Sequence, residues 1–239
     1  MLQIFPNQEA LSLAAASLFV QQARQAVAAR GRFSVALSGG HTPRRTYDLL
    51  ARLPLRDQVP WDRVHVFWGD ERCVSLDDPR SNFWLAHLTF LNRVPIPPAQ
   101  AHPICCQGSP EEGADRYEHE LLGFFGEDPR FDLVFLGLGE NGHTASLFPH
   151  TAVLKERSRW AAAVFPAGQD LPRVTLTAPV INRAAVVAFL VTGASKAGVL
   201  REVLYGPHDP DRLPAQLILP QEGELLWLAD RAAGGVERG

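Results

Sequence analysis

Short apolar runs alternate along the chain with segments of helical period. The runs FSVAL (33–37), VHVFW (64–68), FDLVFLG (131–137), RWAAAVF (159–165), RVTLT (173–177) and AVVAFLV (185–191) read as strands. Several are apolar without interruption, the pattern of strands covered on both faces in a mostly parallel sheet. Between them the spacing predicts helices over 9–30, 43–52, 81–92, 111–125 and 194–204. Gly31 stops the first, and Pro43 suits the first turn of the second with Thr42 as its cap. Alternation of this kind predicts an α/β fold: an open, mostly parallel sheet with helices on both faces. The Pro-rich stretch VPIPPAQAHPICCQGSP (94–110) interrupts the alternation, which then resumes. It reads as a long connection inside a single domain, 1–239, without internal repeats.

Open α/β sheets bind ligands where loops leave the carboxyl ends of their strands. Four of the predicted strands run into polar or glycine-rich loops there. Ser38-Gly39-Gly40-His41-Thr42-Pro43 follows the first; its glycines let an anion approach the backbone N–H groups at a helix start. It is not a P-loop, since G-x-x-x-x-G-K-[ST] is absent. In the second loop, Gly69-Asp70-Glu71-Arg72, an extended backbone points Asp70 and Arg72 one way and Glu71 the other. An arginine fork there suits a phosphate or carboxylate. Lys196, in Thr192-Gly193-Ala-Ser-Lys, sits in a helix's first turn and can add charge to a phosphate pocket.

The remaining loop, GLGENGHTASLFP from Gly137, satisfies G-x-G-x-x-G. A dinucleotide fingerprint belongs at the start of a βαβ unit, with an acid about 20 residues on. This one lies past the middle of the chain, and the next strand runs into Pro166-Ala167-Gly168 with no carboxylate. The glycines therefore read as a sharp strand-to-helix turn that presents His143. A neutral imidazole can take a proton from water and return it to a leaving group. No serine stands in a G-x-S-x-G elbow, which favours water activation over a covalent intermediate.

Composition narrows the partners. A formal charge of −3 gives no reason to expect nucleic acid or an anionic membrane. The longest apolar stretch, Ala184 to Val191, is far short of a membrane span. Residues 9–30 carry Gln21, Gln22 and Arg24, which suits an amphipathic helix and not a cleaved signal, so a cytoplasmic protein is expected. Cys73, Cys105 and Cys106 are too few for a disulfide framework and lack metal-ligand spacing, so they read as ordinary thiols, and no metal is expected.

SGGHTP, WGDERCVSLDDPRSNF, FDLVFLGLGENGHTASLFP, PRVTLT and VTGASKAGVL, in this order and spacing, resemble the 6-phosphogluconolactonases; LLWLADRAA near the end also fits. The resemblance implies a Rossmann-like fold of the glucosamine-6-phosphate deaminase and ribose-5-phosphate isomerase type. It implies hydrolysis of 6-phosphoglucono-δ-lactone to 6-phosphogluconate, in the oxidative pentose phosphate pathway, without a cofactor. Ser38, Gly39, Gly40, Thr42, Arg72, Arg173 and Lys196 would then anchor the 6-phosphate, His143 would act as general base, and Asp70 would position the sugar or polarise the site. Arg173 is assigned through PRVTLT alone.

Two rivals share these features. Glucosamine-6-phosphate deaminases resemble G-x-D-G-H-I-A-F-N-E-P, whose aspartate and glutamate move protons. Asn141 and Phe148 stand in those places here, and neither exchanges a proton. A non-catalytic sugar-phosphate sensor would keep the SGG loop and Lys196 but have no use for a proton carrier at residue 143. Many lactonases also carry Asp where this chain has Asn141. Asn141 is then expected to orient the histidine by hydrogen bonding alone, with a modest loss of rate.

Overall fold

The computed structural model describes residues 1–235. Its main sheet has six parallel strands: β1 (Leu2–Phe5), β2 (Phe33–Leu37), β3 (Val64–Trp68), β5 (Leu133–Leu136), β8 (Val186–Val191) and β9 (Glu224–Asp230), in the order β1-β9-β8-β5-β2-β3. Every residue of β2, β5 and β8 is buried, so the uninterrupted apolar runs are strands covered on both faces. β1 and β9 were not among the predicted strands. β1 is a short edge strand with two exposed positions, and β9 is exposed at its first residue, so neither shows a complete apolar run.

Helix α1 (Gln8–Arg30) starts on Asn7, whose Oδ1 accepts the Ala10 N–H at 2.9 Å, and ends on Gly31 in the left-handed conformation. Its buried Ala15, Ala16 and Ala23 bring it close to its neighbours, with Phe19 filling the space between. Helix α2 (His41–Leu50) packs against it. Helix α3 (Asn82–Thr89) starts on Ser81, and α4 (Pro110–Phe125) on a reciprocal box between Ser109 and Glu112. The short α5 (Ala178–Ile181) and α6 (Ala197–Tyr205) complete the α-helices among the described residues.

RWAAAVF and RVTLT do not join the main sheet. They form β6 (Ala161–Val164) and β7 (Arg173–Leu176), which pair antiparallel with each other and with β4 (Asp70–Arg72) in a second, three-stranded sheet. Gly69 is the joint. Its N–H donates to Leu37 of the main sheet at 2.8 Å, and its carbonyl accepts from Leu176 of the small one at 2.8 Å.

The Pro-rich connection lies along the free edge of β3: Ala101 bridges to Val66 in parallel fashion, and the His102 N–H donates to Val66 O at 2.8 Å. An otherwise open edge is thereby covered. His102 stacks on Phe67 and shares a 3.1 Å hydrogen bond with His65. This path carries Cys106 to Cys73, 33 residues away in sequence, and the two form a disulfide. The expectation of three ordinary thiols is thus corrected; a pairing set by tertiary folding leaves no trace in local spacing. Cys105 alone is free, its thiol pushed up by burial.

Two buried tyrosines close the carboxyl ends of β2 and β3. The Tyr47 hydroxyl accepts from the Ser38 N–H at 3.1 Å and donates to the Ser38 carbonyl at 2.7 Å. The Tyr117 hydroxyl does the same for Trp68, at 3.0 and 2.8 Å. Each supplies the partner that the strand loses where the chain leaves the sheet. Burial raises both phenols well above their ordinary value, so they stay protonated.

Candidate active site

Loops from the carboxyl ends of β2, β5 and β8, together with the small sheet, enclose a cavity of about 410 Å³. Its lining includes all nine residues singled out from sequence: Ser38, Gly39, Gly40, Thr42, Asp70, Arg72, His143, Arg173 and Lys196. Three are cations and one a carboxylate, so the cavity favours an anion. Ser38 Oγ, Arg72 Nε and Arg173 Nε are buried without a protein hydrogen-bond partner. Buried polar groups are seldom left so, and three in one cavity mark it as built for an acceptor-rich ligand.

The anion end is assembled from three elements. α2 begins at His41, after Gly40 at φ +99°, which places its first turn on the cavity wall. Gly39 leaves room for Asn82: a Cβ there would stand 1.8 Å from Asn82 Oδ1 and force that side chain to move. Thr42 is not the cap of this helix. It lies inside the first turn, and its hydroxyl shares a 2.8 Å hydrogen bond with that of Thr192, joining the loops after β2 and β8. Lys196 ends the 3₁₀ turn that leads into α6 and stands 3.8 Å from Glu140. Arg72 donates through its Nη1 to the Arg80 carbonyl. Burial holds the Arg173 guanidinium below its usual value; Asp70 opposes that effect and Arg72 adds to it.

The alternation expected of Asp70-Glu71-Arg72 is present. Glu71 turns away from the cavity, where its carboxylate accepts from the N–H groups of Arg72, Asn82 and Phe83 at 2.8 Å each and from Ser81 Oγ at 2.9 Å. It thus satisfies the start of α3. Burial raises its carboxyl against the pull of these donors. Asp70 faces the cavity at 7 % exposure, with one oxygen bonded to Ser146 Oγ at 2.6 Å and the other to Asn82 Nδ2 at 3.2 Å.

His143 lies on an irregular loop, not at a helix start. Gly142 at φ +78° and Ala145 at φ +46° both adopt the left-handed region, which a right-handed helix cannot contain. The loop is closed by its own hydrogen bonds, Gly139 N–H to His143 O at 2.8 Å and Gly142 N–H to Gly139 O at 3.0 Å. Gly139 is required by close approach: a Cβ there would fall 2.0 Å from His143 Nδ1. Asn141 Oδ1 lies 2.5 Å from Nδ1 and also receives the His143 backbone N–H at 3.3 Å. Two contacts on one oxygen identify it as the acceptor, so Nδ1 carries the proton and Nε2 keeps its lone pair. The ring stacks on Phe148 at 4.4 Å. Burial lowers its pKa to about 4; Asp70 opposes the shift, and Lys196 and Arg173 reinforce it. The imidazole is therefore neutral at physiological pH.

Sequence reasoning missed Asn82 and Ser146, which hold Asp70 from opposite sides, and Thr192. Asn82 and Ser146 fall inside the family-like stretches, but nothing in their spacing distinguishes them from other polar residues. No group of three or more His, Cys, Asp or Glu among the described residues is arranged to hold a metal ion.

Comparison with known proteins agrees with this architecture. Residues 6–227 match the family described as glucosamine-6-phosphate isomerases/6-phosphogluconolactonase. A 6-phosphogluconolactonase of Synechocystis sp. is 50% identical over 215 residues, covering 88% of this chain and 87% of the relative. The structure of a 6-phosphogluconolactonase from Trypanosoma cruzi superposes with a TM-score of 0.86 at 27% identity, covering 98% of this chain and 95% of that one. A monomeric glucosamine-6-phosphate deaminase superposes with a TM-score of 0.82, over 99% of each chain. At 24% identity that likeness speaks for the fold alone.

Proposed function

The chain belongs to the glucosamine-6-phosphate isomerase/6-phosphogluconolactonase family, and from that premise we infer that it hydrolyses 6-phosphoglucono-δ-lactone to 6-phosphogluconate in the oxidative pentose phosphate pathway. The observation that carries the reading is His143: neutral, with Nε2 free, in one cavity with three cations.

In the proposed reaction the 6-phosphate is gripped by Arg72, Arg173 and Lys196, by the Ser38 hydroxyl, and by backbone N–H groups of Gly39, Gly40 and Thr42. The unpartnered Ser38 Oγ, Arg72 Nε and Arg173 Nε are donors such an anion would satisfy. His143 Nε2 takes a proton from water as the water oxygen bonds to C1. The C1 carbonyl becomes an oxyanion. As it re-forms the double bond, the bond from C1 to the ring oxygen breaks and the imidazolium returns its proton to that oxygen. The product is an open-chain acid, and the imidazole is again neutral. Asp70, fixed by Ser146 and Asn82, positions the sugar and stabilises the transient imidazolium.

The deaminase reading lacks its two carboxylates, since Asn141 and Phe148 occupy those places. The sensor reading gives no reason for a desolvated base whose tautomer is fixed. We read residues 1–239 as one domain, supported by the hydrogen bonds through which Gly69 joins both sheets. We also propose a cytoplasmic location, the reading made from composition and charge. Among the described residues no helix is long and apolar enough to cross a membrane.

The test is to generate the lactone from glucose 6-phosphate and follow its loss against spontaneous hydrolysis. His143→Ala should lower turnover by about 10²–10⁴-fold, the usual contribution of general acid–base catalysis, while binding of 6-phosphogluconate persists. Unchanged turnover would remove the base from the mechanism. Ammonia release from glucosamine 6-phosphate would instead identify the rival chemistry.

A further inference from the structure

The Phe148 side chain has no titratable group, can make no conventional hydrogen bond and does not line the cavity, yet it touches two groups that do. Its ring, 8% exposed, stacks against the His143 imidazole with centroids 4.4 Å apart and planes 24° from parallel. The Arg173 guanidinium carbon lies 5.9 Å from the centre of the same ring. One apolar side chain is therefore a wall common to the base and to an arginine of the anion grip.

The need for such a wall follows from the other contacts of the imidazole. Gly139 allows the ring to sit close to the backbone, and Asn141 fixes its Nδ1 at 2.5 Å. A hydrogen bond at one nitrogen still lets the ring tilt about that point, swinging Nε2 at the far side. A parallel aromatic face restrains the tilt and keeps water from that face. We propose that Phe148 is a positioning residue: it holds Nε2 in line with the reacting carbon and sets the base in register with Arg173. The inference rests on the reading of His143 as general base.

The charged groups that act on the imidazole are Asp70, Lys196 and Arg173, and burial is the largest influence, holding it at about 4. Removing the aromatic face admits water and lets Arg173 move, and both changes raise the imidazole pKa. The experiment is Phe148→Leu and Phe148→Met, with folding verified by circular dichroism, read in two ways: nuclear magnetic resonance titration of His143, and kcat and KM for the lactone. The expected result is an upward move of the His143 titration by about one unit or more. A fall in kcat of roughly tenfold should accompany it, since small misplacements of a reacting group are costly. KM should rise about threefold through Arg173, a modest part of a charged contact's worth. Phe148→Tyr, which keeps the face, should titrate like the parent.

A merely structural residue would lower the melting temperature and leave the titration and kcat of the folded variants where they were; that result overturns the proposal. The titration does not depend on turnover. Full activity in His143→Ala would therefore refute the base reading separately, whatever the Phe148 variants show.

Discussion

Replacing Asn141 by Asp tests the site at the atom that holds the imidazole. The change is isosteric and lies at an exposed position, so the fold should accept it. It places a carboxylate where an amide oxygen now stands 2.5 Å from His143 Nδ1. A unit charge about 4 Å from another is worth at most about 4 kcal/mol at an effective dielectric of about 20. An opposite charge so close raises a histidine by about 1–3 units. Screening by solvent at an exposed residue favours the lower half of that range, so the imidazole, now at about 4, should move to roughly 5–6. The sign is fixed: a carboxylate favours the protonated ring, so the base becomes stronger and its acid limb moves up in pH. If about half of the added basicity is felt in the transition state, kcat at neutral pH rises about 3–10-fold. The assay is the pH dependence of kcat/KM for the lactone, corrected for spontaneous hydrolysis, which reports the free enzyme. An acid limb that stays near 4 with kcat unchanged would show that Asn141 does not govern the catalytic ring.

Three further outcomes follow from distances already given. Lys196 and Arg173 both push the His143 pKa down; a bound phosphate dianion offsets them, so the acid limb of kcat should lie above that of kcat/KM, and coincident limbs would place the phosphate elsewhere. Gly139→Ala puts a methyl group 2.0 Å from His143 Nδ1; it should displace the ring and cost about as much turnover as His143→Ala, roughly 10²–10⁴-fold, and near-normal rates in the folded variant would argue against the packing. Reducing the link between Cys73 and Cys106, 33 residues apart, releases a loop worth about 3–4 kcal/mol. Melting should then drop by roughly 10 °C for a chain of this size; the comparison is with and without a dithiol reductant, and thiols shown by alkylation to be free, with no change in melting, would contradict it.

The main sheet was legible because strands covered on both faces leave uninterrupted apolar runs. FSVAL and AVVAFLV fall within a residue of β2 and β8. The small sheet was not: β4 has three residues, too few for any period, and its partners resemble strands of the main sheet. The site's first layer was legible for a related reason, since polar loops at the ends of apolar strands are visible as changes in the pattern. Its supports were not. Ser146 and Asn82 act on Asp70 across 76 and 12 residues of sequence, and Cys106 reaches Cys73 only after the connection has folded back along β3. The glycine pattern that suggested a cofactor turn has a local explanation: Gly139 makes room for a ring, and Gly142, at positive φ, would crowd Leu213 if it carried a side chain.

The tyrosine hydroxyls at the ends of β2 and β3 carry a consequence for hydrogen exchange. Where a loop leaves a sheet, the first unpaired amide usually exchanges quickly with solvent through local fraying. At Ser38 and Trp68 that amide is held by a phenol rooted in the core, with Tyr47 0% and Tyr117 2% exposed. Each can let go only when its own helix moves. Their amide protons should therefore exchange at the slow rate of the central strands, far more slowly than those of the loops they begin. The loop that begins at Ser38 and the joint that begins at Trp68 are thus anchored at their roots with the durability of the whole domain.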